Sequence, residues 1–91
     1  MRTFEDLDPV IVEWSQAMRL PLYTRYRDDD VRSFQVVGIS GASCQIWVEI
    51  SDEVTVHVWD YGPRRHSFPT DGPGLRATLD EALAVAKRWI E

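Results

Sequence analysis

Two histidines and a group of aromatic side chains have the most scope for chemistry in this chain. His57 and His66 could serve as acid or base, and Glu49 is the one further candidate to join them as a metal ligand. A zinc site needs three or four ligands, and the sequence has no HxxxH or HExxH spacing. It also lacks a recognisable catalytic triad signature and a glycine-rich phosphate loop. We therefore expect no enzyme activity, no metal and no cofactor.

The clearest pattern is a two-residue alternation in Cys44–Ile50 that resumes in Val54–Tyr61. This period predicts two antiparallel strands with aliphatic side chains on one face. The other face carries Trp47, His57 and Trp59. A sheet needs only one core face, so four uses of the aromatic face stay open. A helix could cover it, a second copy could bury it, a protein or small ligand could bind it, or single-stranded nucleic acid could stack on it.

Parity fixes which residues can pair, because paired residues must share a face of the sheet. We predict a loop at residues 51–53, which pairs Trp47 with His57. A loop at residues 40–42 pairs Val36 with Ile46 and Phe34 with Val48. A two-residue turn at Gly62-Pro63 pairs Trp59 with His66 and His57 with Phe68. The candidate binding surface joins this face to the basic cluster at the turn. Its members are Trp47, His57, Trp59, Tyr61, Arg64, Arg65 and His66.

Helices are predicted at both ends of the chain. Asp8 is a good N-cap before Pro9 and Pro21 blocks continuation, so the first helix is expected to begin at Asp8. Thr78 and Glu81 have the spacing of a capping box at the start of the last helix. The sequence therefore predicts an α+β fold in a single domain, 1–91: an N-terminal helix, an antiparallel β-meander of three to five strands and a C-terminal helix. Strands at Leu20–Arg27 and Arg64–Phe68 are ambiguous, which gives the range in strand number.

Composition narrows the classes of partner. The 91 residues carry a net charge of −5, from 10 basic and 15 acidic residues. Binding to phosphates draws on Lys and Arg, so nucleic acid is a disfavoured partner. No apolar run approaches the roughly 20 residues that a membrane helix requires, and the acidic N-terminus does not look like a secretory signal. With the single Cys44, expected to be buried and inert, these features favour a cytoplasmic protein.

A second surface patch of mixed aromatic and basic residues is a further candidate for binding, although a charge-protected edge strand has the same composition. Its members are Tyr23, Arg25, Tyr26, Arg27 and Arg32. The favoured hypothesis is a small acidic, non-enzymatic interaction module, such as an immunity or antitoxin-like protein or another inhibitory accessory protein, that binds a more basic protein or associates with itself. The alternative is a binder of single-stranded nucleic acid or a small anionic ligand on the aromatic face.

Overall fold

The computed structural model describes residues 4–23 and 31–90. Seven elements follow one another along the chain: helix α1 (Phe4–Met18), strands β1 (Leu22–Tyr23), β2 (Val31–Val37), β3 (Ser43–Ile50), β4 (Val54–Trp59) and β5 (Arg65–Thr70), and helix α2 (Leu75–Ile90). The strands form one antiparallel sheet in the order β1-β2-β3-β4-β5. The predicted α+β class and its layout, an antiparallel meander with one helix before it and one after it in the chain, are confirmed.

Both helices pack on the same face of the sheet. The aliphatic side chains of the strands alternate onto this face, and it is buried together with the apolar stripes of both helices. The largest fully buried side chains, which mark the centre of this core, are Trp14, Phe34, Ile11, Ile46, Leu75 and Leu79. Cys44 is completely buried in it, as expected, and burial raises the pKa of its thiol. None of the helices in the described part of the chain is long and apolar enough to cross a membrane.

The register between β2 and β3 differs from the predicted one by two residues. Phe34 pairs with Ile46 and Val36 with Cys44, so the predicted pairs of Val36 with Ile46 and Phe34 with Val48 are wrong. The turn causes this difference in register. The Gly38 N–H donates to the carbonyl of Ala42 at 2.8 Å, which closes the loop one residue earlier in the chain than predicted. A shift of two residues keeps every side chain on its predicted face.

Helix α1 begins one turn earlier than predicted, at Phe4 instead of Asp8. Phe4 and Leu7 are buried and extend the apolar stripe through Ile11 and Trp14 at helical spacing. Asp8 does not cap the helix: its carboxylate lies 3.1 Å from the guanidinium of Arg32. Pro9 is inside the helix, where it removes one backbone hydrogen bond.

Helix α2 also begins one turn earlier, at Leu75, so the predicted capping box is wrong. Thr78 lies within the helix, and its hydroxyl donates to the carbonyl of Gly74 at 2.9 Å. The side chain near the helix start that accepts a backbone N–H is Asp71, 2.7 Å from the nitrogen of Gly74. Leu75 is fully buried, which places the first turn against the core.

The C-terminus of α1 is closed by a residue in the left-handed conformation. Arg19 has a φ of 56°. The N–H of Leu20 donates to the carbonyl of Ser15 at 2.9 Å, and the N–H of Arg19 donates to that of Gln16 at 3.2 Å. This pair of bonds is the Schellman motif, in which glycine is preferred because it has no Cβ to clash.

We expect the substitution Arg19→Gly to raise the free energy of unfolding by about 0.5–1 kcal/mol, because relief of the left-handed strain exceeds the added entropy of the unfolded chain. Urea denaturation measures the change. Arg19→Ala is the matched control, since it removes the side chain but keeps the strained Cβ. Equal stability of the two variants would contradict the assignment of strain to this position.

Candidate functional site

The opposite side of the sheet, called here the outward face, faces away from both helices. Its side chains come from alternate positions of β2 to β5. Residues that pair across these four strands form rows on the face. The rows that matter for the site are Val31-Glu49-Thr55-Pro69, Ser33-Trp47-His57-Ser67 and Gln35-Gln45-Trp59-Arg65. The predicted pairing of Trp47 with His57 is confirmed. Because the apolar stripes of α1 and α2 lie in the core on the other side, no described helix covers this aromatic face.

His57 is held at the centre of the outward face by three neighbours. Its ring stacks on Trp47, with centroids 4.8 Å apart and planes 19° from parallel. Its Nδ1 lies 2.7 Å from the hydroxyl of Ser67, and its Nε2 lies 3.2 Å from a carboxylate oxygen of Glu49. His57 is only 8% exposed, so these contacts satisfy both ring nitrogens of a nearly buried side chain.

Trp47 and Trp59 are both half-buried, and neighbouring side chains or backbone groups contact each of them. The guanidinium carbon of Arg65 lies 5.3 Å from the centroid of Trp47, within the range of a cation–π contact. Trp59 packs on Tyr61 with centroids 4.8 Å apart, and its indole N–H donates to the carbonyl of Gly62 at 3.0 Å. The two indoles are therefore fixed platforms whose orientation does not depend on a ligand.

The predicted two-residue turn after Trp59 is wrong. Trp59 pairs with Arg65 and His57 with Ser67, one residue earlier on β5 than predicted. The loop is longer because Asp60 accepts the backbone N–H groups of Gly62 and Arg64 at 2.8 and 3.2 Å. Tyr61 takes a φ of 63° within it.

A shift of one residue moves every β5 side chain to the other face. His66 and Phe68 therefore lie on the helix side of the sheet, where their rings are 4.5 Å apart. The predicted neighbours His57 and His66 are on opposite faces. Arg65 and Ser67 occupy the outward face instead, and Ser67 is a partner of His57 that was not predicted from the sequence. The signal that could have found it is Asp60, which is typical of a longer side-chain-closed loop.

Arg64 does not join the outward face. Its guanidinium lies 2.8 Å from the carboxylate of Asp60, donates to the carbonyl of Trp89 at 3.0 Å, and sits 5.2 Å from the Trp89 ring centroid. The Arg64 side chain lowers the pKa of the Asp60 carboxyl by hydrogen bonding, and the backbone N–H groups of Gly62 and Arg64 act in the same direction. Arg64 is therefore held against the last turn of α2.

The structure also places members of the second predicted patch on opposite faces of the sheet. Tyr23 is exposed on β1 and pairs with Ser33 of the outward face. Arg32 is 3% exposed and lies on the core side, paired with Asp8 and 4.2 Å from the Phe4 ring centroid. Its assignment to a surface patch is wrong, because its side chain joins α1 to the sheet. The remaining three members, Arg25, Tyr26 and Arg27, lie outside the described residues.

Glu49, His57 and Ser67 form a hydrogen-bonded chain of a carboxylate, an imidazole and a hydroxyl. These are the residue types of a nucleophile, its base and an orienting acid. The chain lies across a sheet face, however, and not in the concave pocket that an active site normally occupies. A cleft of about 380 Å³ lies elsewhere, where the β3–β4 turn meets the end of β5. Among the described residues, no group of three metal-ligating side chains comes together.

Charge is separated along the strands. The acidic end comprises Glu49 together with three residues that line the cleft, Asp52, Glu53 and Asp71. At the opposite end lie Arg64 and Arg65 beside the last turn of α2, which carries Lys87 and Arg88. The outward face runs between these ends, and Glu49 and Arg65 are the acidic and the basic residue in its three rows.

Comparison with known proteins adds no relative. A scan against protein-family models found no matching family, and searches of the curated proteins and of the solved structures found no significant match.

We expect Ser67→Ala to lower the free energy of unfolding by about 1 kcal/mol, because Nδ1 of the nearly buried His57 loses its hydrogen-bond partner. Ser67→Thr keeps the hydroxyl and should stay within about 0.5 kcal/mol of the wild type. Urea denaturation at neutral pH compares the three proteins. If both variants match the wild type, the contact between Ser67 and His57 does not contribute to stability.

Proposed function

We propose that this chain is a small acidic, non-enzymatic interaction module that binds a more basic protein partner in the cytoplasm, as immunity, antitoxin-like or other inhibitory accessory proteins do. One observation carries the proposal: the outward face is left uncovered by α1 and α2 and presents two ordered tryptophans. Aromatic side chains and few charges are typical of the central part of a protein interface.

The location of the acidic end supports a basic partner. Glu49 is part of the outward face itself, and Asp52 and Glu53 follow it at the β3–β4 turn. Opposite charge raises the rate of encounter and orients the partner before the apolar contacts form. A basic protein would approach this end first and then cover the tryptophans.

Binding of single-stranded nucleic acid or a small anion is the alternative, and the contact of Arg65 with Trp47 is the observation that favours it. The rest of the predicted basic cluster does not support it, because Arg64 is held by Asp60 and Trp89 and His66 lies on the other face. Titration with a short oligonucleotide at low salt separates the two functions. Under the favoured proposal, tryptophan fluorescence stays unchanged, whereas salt-sensitive quenching would support the alternative.

The main test is affinity capture from the native host, followed by quantitative binding of the captured protein. We expect a protein with a high isoelectric point, an association rate that falls with added salt, and an affinity about tenfold or more weaker for Trp59→Ala. Trp89→Ala is the matched control, since it removes the same side chain from α2 on the opposite side of the sheet. Equal losses in both variants, or an acidic partner, would contradict the proposal.

A further inference from the structure

The outward face is also suited to bind the outward face of a second copy of this chain. We propose that, without another partner, a second copy of this chain covers the face in a two-fold symmetric dimer. This inference goes beyond the proposed function and does not depend on it. It implies that a protein partner competes with the second copy for Trp47 and Trp59.

Charge is placed evenly about the centre of the outward face. Glu49 on β3 and Arg65 on β5 lie two strands and two rows apart, and His57 on β4 lies midway between them. Both side chains lean toward the centre, since Glu49 reaches His57 and Arg65 reaches over Trp47. A surface with one acid and one base placed evenly about its centre is complementary to itself, as a two-fold interface requires.

The same two-fold symmetry also brings the tryptophans of the two copies together. A two-fold axis above His57, parallel to the sheet and perpendicular to the line from Glu49 to Arg65, brings each of these residues opposite the other in the second copy. With strands about 4.8 Å apart and roughly 6.7 Å per two residues, the same rotation brings Trp47 within about 3 Å of Trp59 of the second copy, in projection. One operation therefore pairs the opposite charges and the tryptophans together. The strands of the two sheets then cross at about 70°, nearer the orthogonal than the aligned class of sheet packing.

A dimer also needs enough surface to bury. A stable interface takes about 800 Å² from each protein, roughly one seventh of the 5886 Å² that the described chain exposes. The apolar surface of the outward face extends beyond its three rows. Tyr23 at 54% exposure, Val37 at 64% and Tyr61 at 46% add to it at its margins.

Pairing through the edge of the sheet is the competing arrangement, and β5 argues against it. This strand is at the edge, and Pro69 within it offers no backbone N–H to a neighbouring strand. Proline on an edge strand is a common way for proteins to prevent edge-to-edge pairing. Pro69 thus favours the face over the β5 edge as the surface for a second copy.

Charge reversal with light scattering after size-exclusion chromatography tests the dimer. The wild type should have twice the chain mass of 10.5 kDa. Glu49→Arg and Arg65→Glu should each weaken the dimer at least tenfold, because each places like charges opposite one another twice. An equimolar mixture of the two variants should form a heterodimer, since every contact then joins opposite charges. The double variant should dimerise alone for the same reason.

Glu81→Arg on the exposed side of α2 is the matched control and should leave the mass unchanged. A monomeric wild type at about 0.5 mM overturns the inference without any variant, so it stays testable if a reversal fails to fold. Dimers that persist through both single reversals, or a mixture that stays monomeric while both variants are folded, also overturn it. If the wild type is monomeric and the partner still depends on Trp59, the dimer is wrong and the proposed function stands.

Discussion

The burial of one sheet face by both helices is the constraint on which the rest of this structure depends. All the aliphatic positions of β3 and β4 point the same way, so each helix gains most apolar burial by packing there. Because α1 and α2 share this side, they also contact each other, and the Trp14 indole donates to Asp80 across that junction at 2.9 Å. The cost of this arrangement is that no described helix covers the aromatic side of the sheet.

Strand parity explains how much of this could be predicted. The alternation in β3 and β4 is strict enough to predict a three-residue loop between them, and the predicted pairing of Trp47 with His57 is correct. The register of β5 depends instead on Asp60, whose side chain binds two backbone N–H groups and lengthens the loop. That choice is made by side-chain hydrogen bonding and a left-handed Tyr61, and neither leaves a periodic trace in the sequence. The shift of one residue removes His66 from the candidate surface and adds Ser67, while Arg65 stays in it.

The starts of the two helices show the same limit in another form. Local capping signals favoured Asp8 and Thr78, yet both helices begin a turn earlier. In each case a buried apolar side chain, Phe4 or Leu75, extends the stripe that contacts the core. A cap is worth about 1 kcal/mol, whereas burying a large apolar side chain is worth about 1.5–3 kcal/mol. Tertiary packing therefore decides the boundary, and the displaced Asp8 becomes the partner of Arg32.

The order already present in the outward face bears on how it can bind. Trp47 is held by the ring of His57 and by Arg65, while Trp59 is held by Tyr61 and the carbonyl of Gly62. Side chains fixed before binding lose less conformational entropy when a partner arrives, and such ordering costs about 0.5–1.5 kcal/mol for each side chain left free. A core residue needs no such support, because the surrounding atoms already restrict it. The contacts around His57, Trp47 and Trp59 thus give an exposed surface the rigidity of an interior, which favours strong binding from a small area.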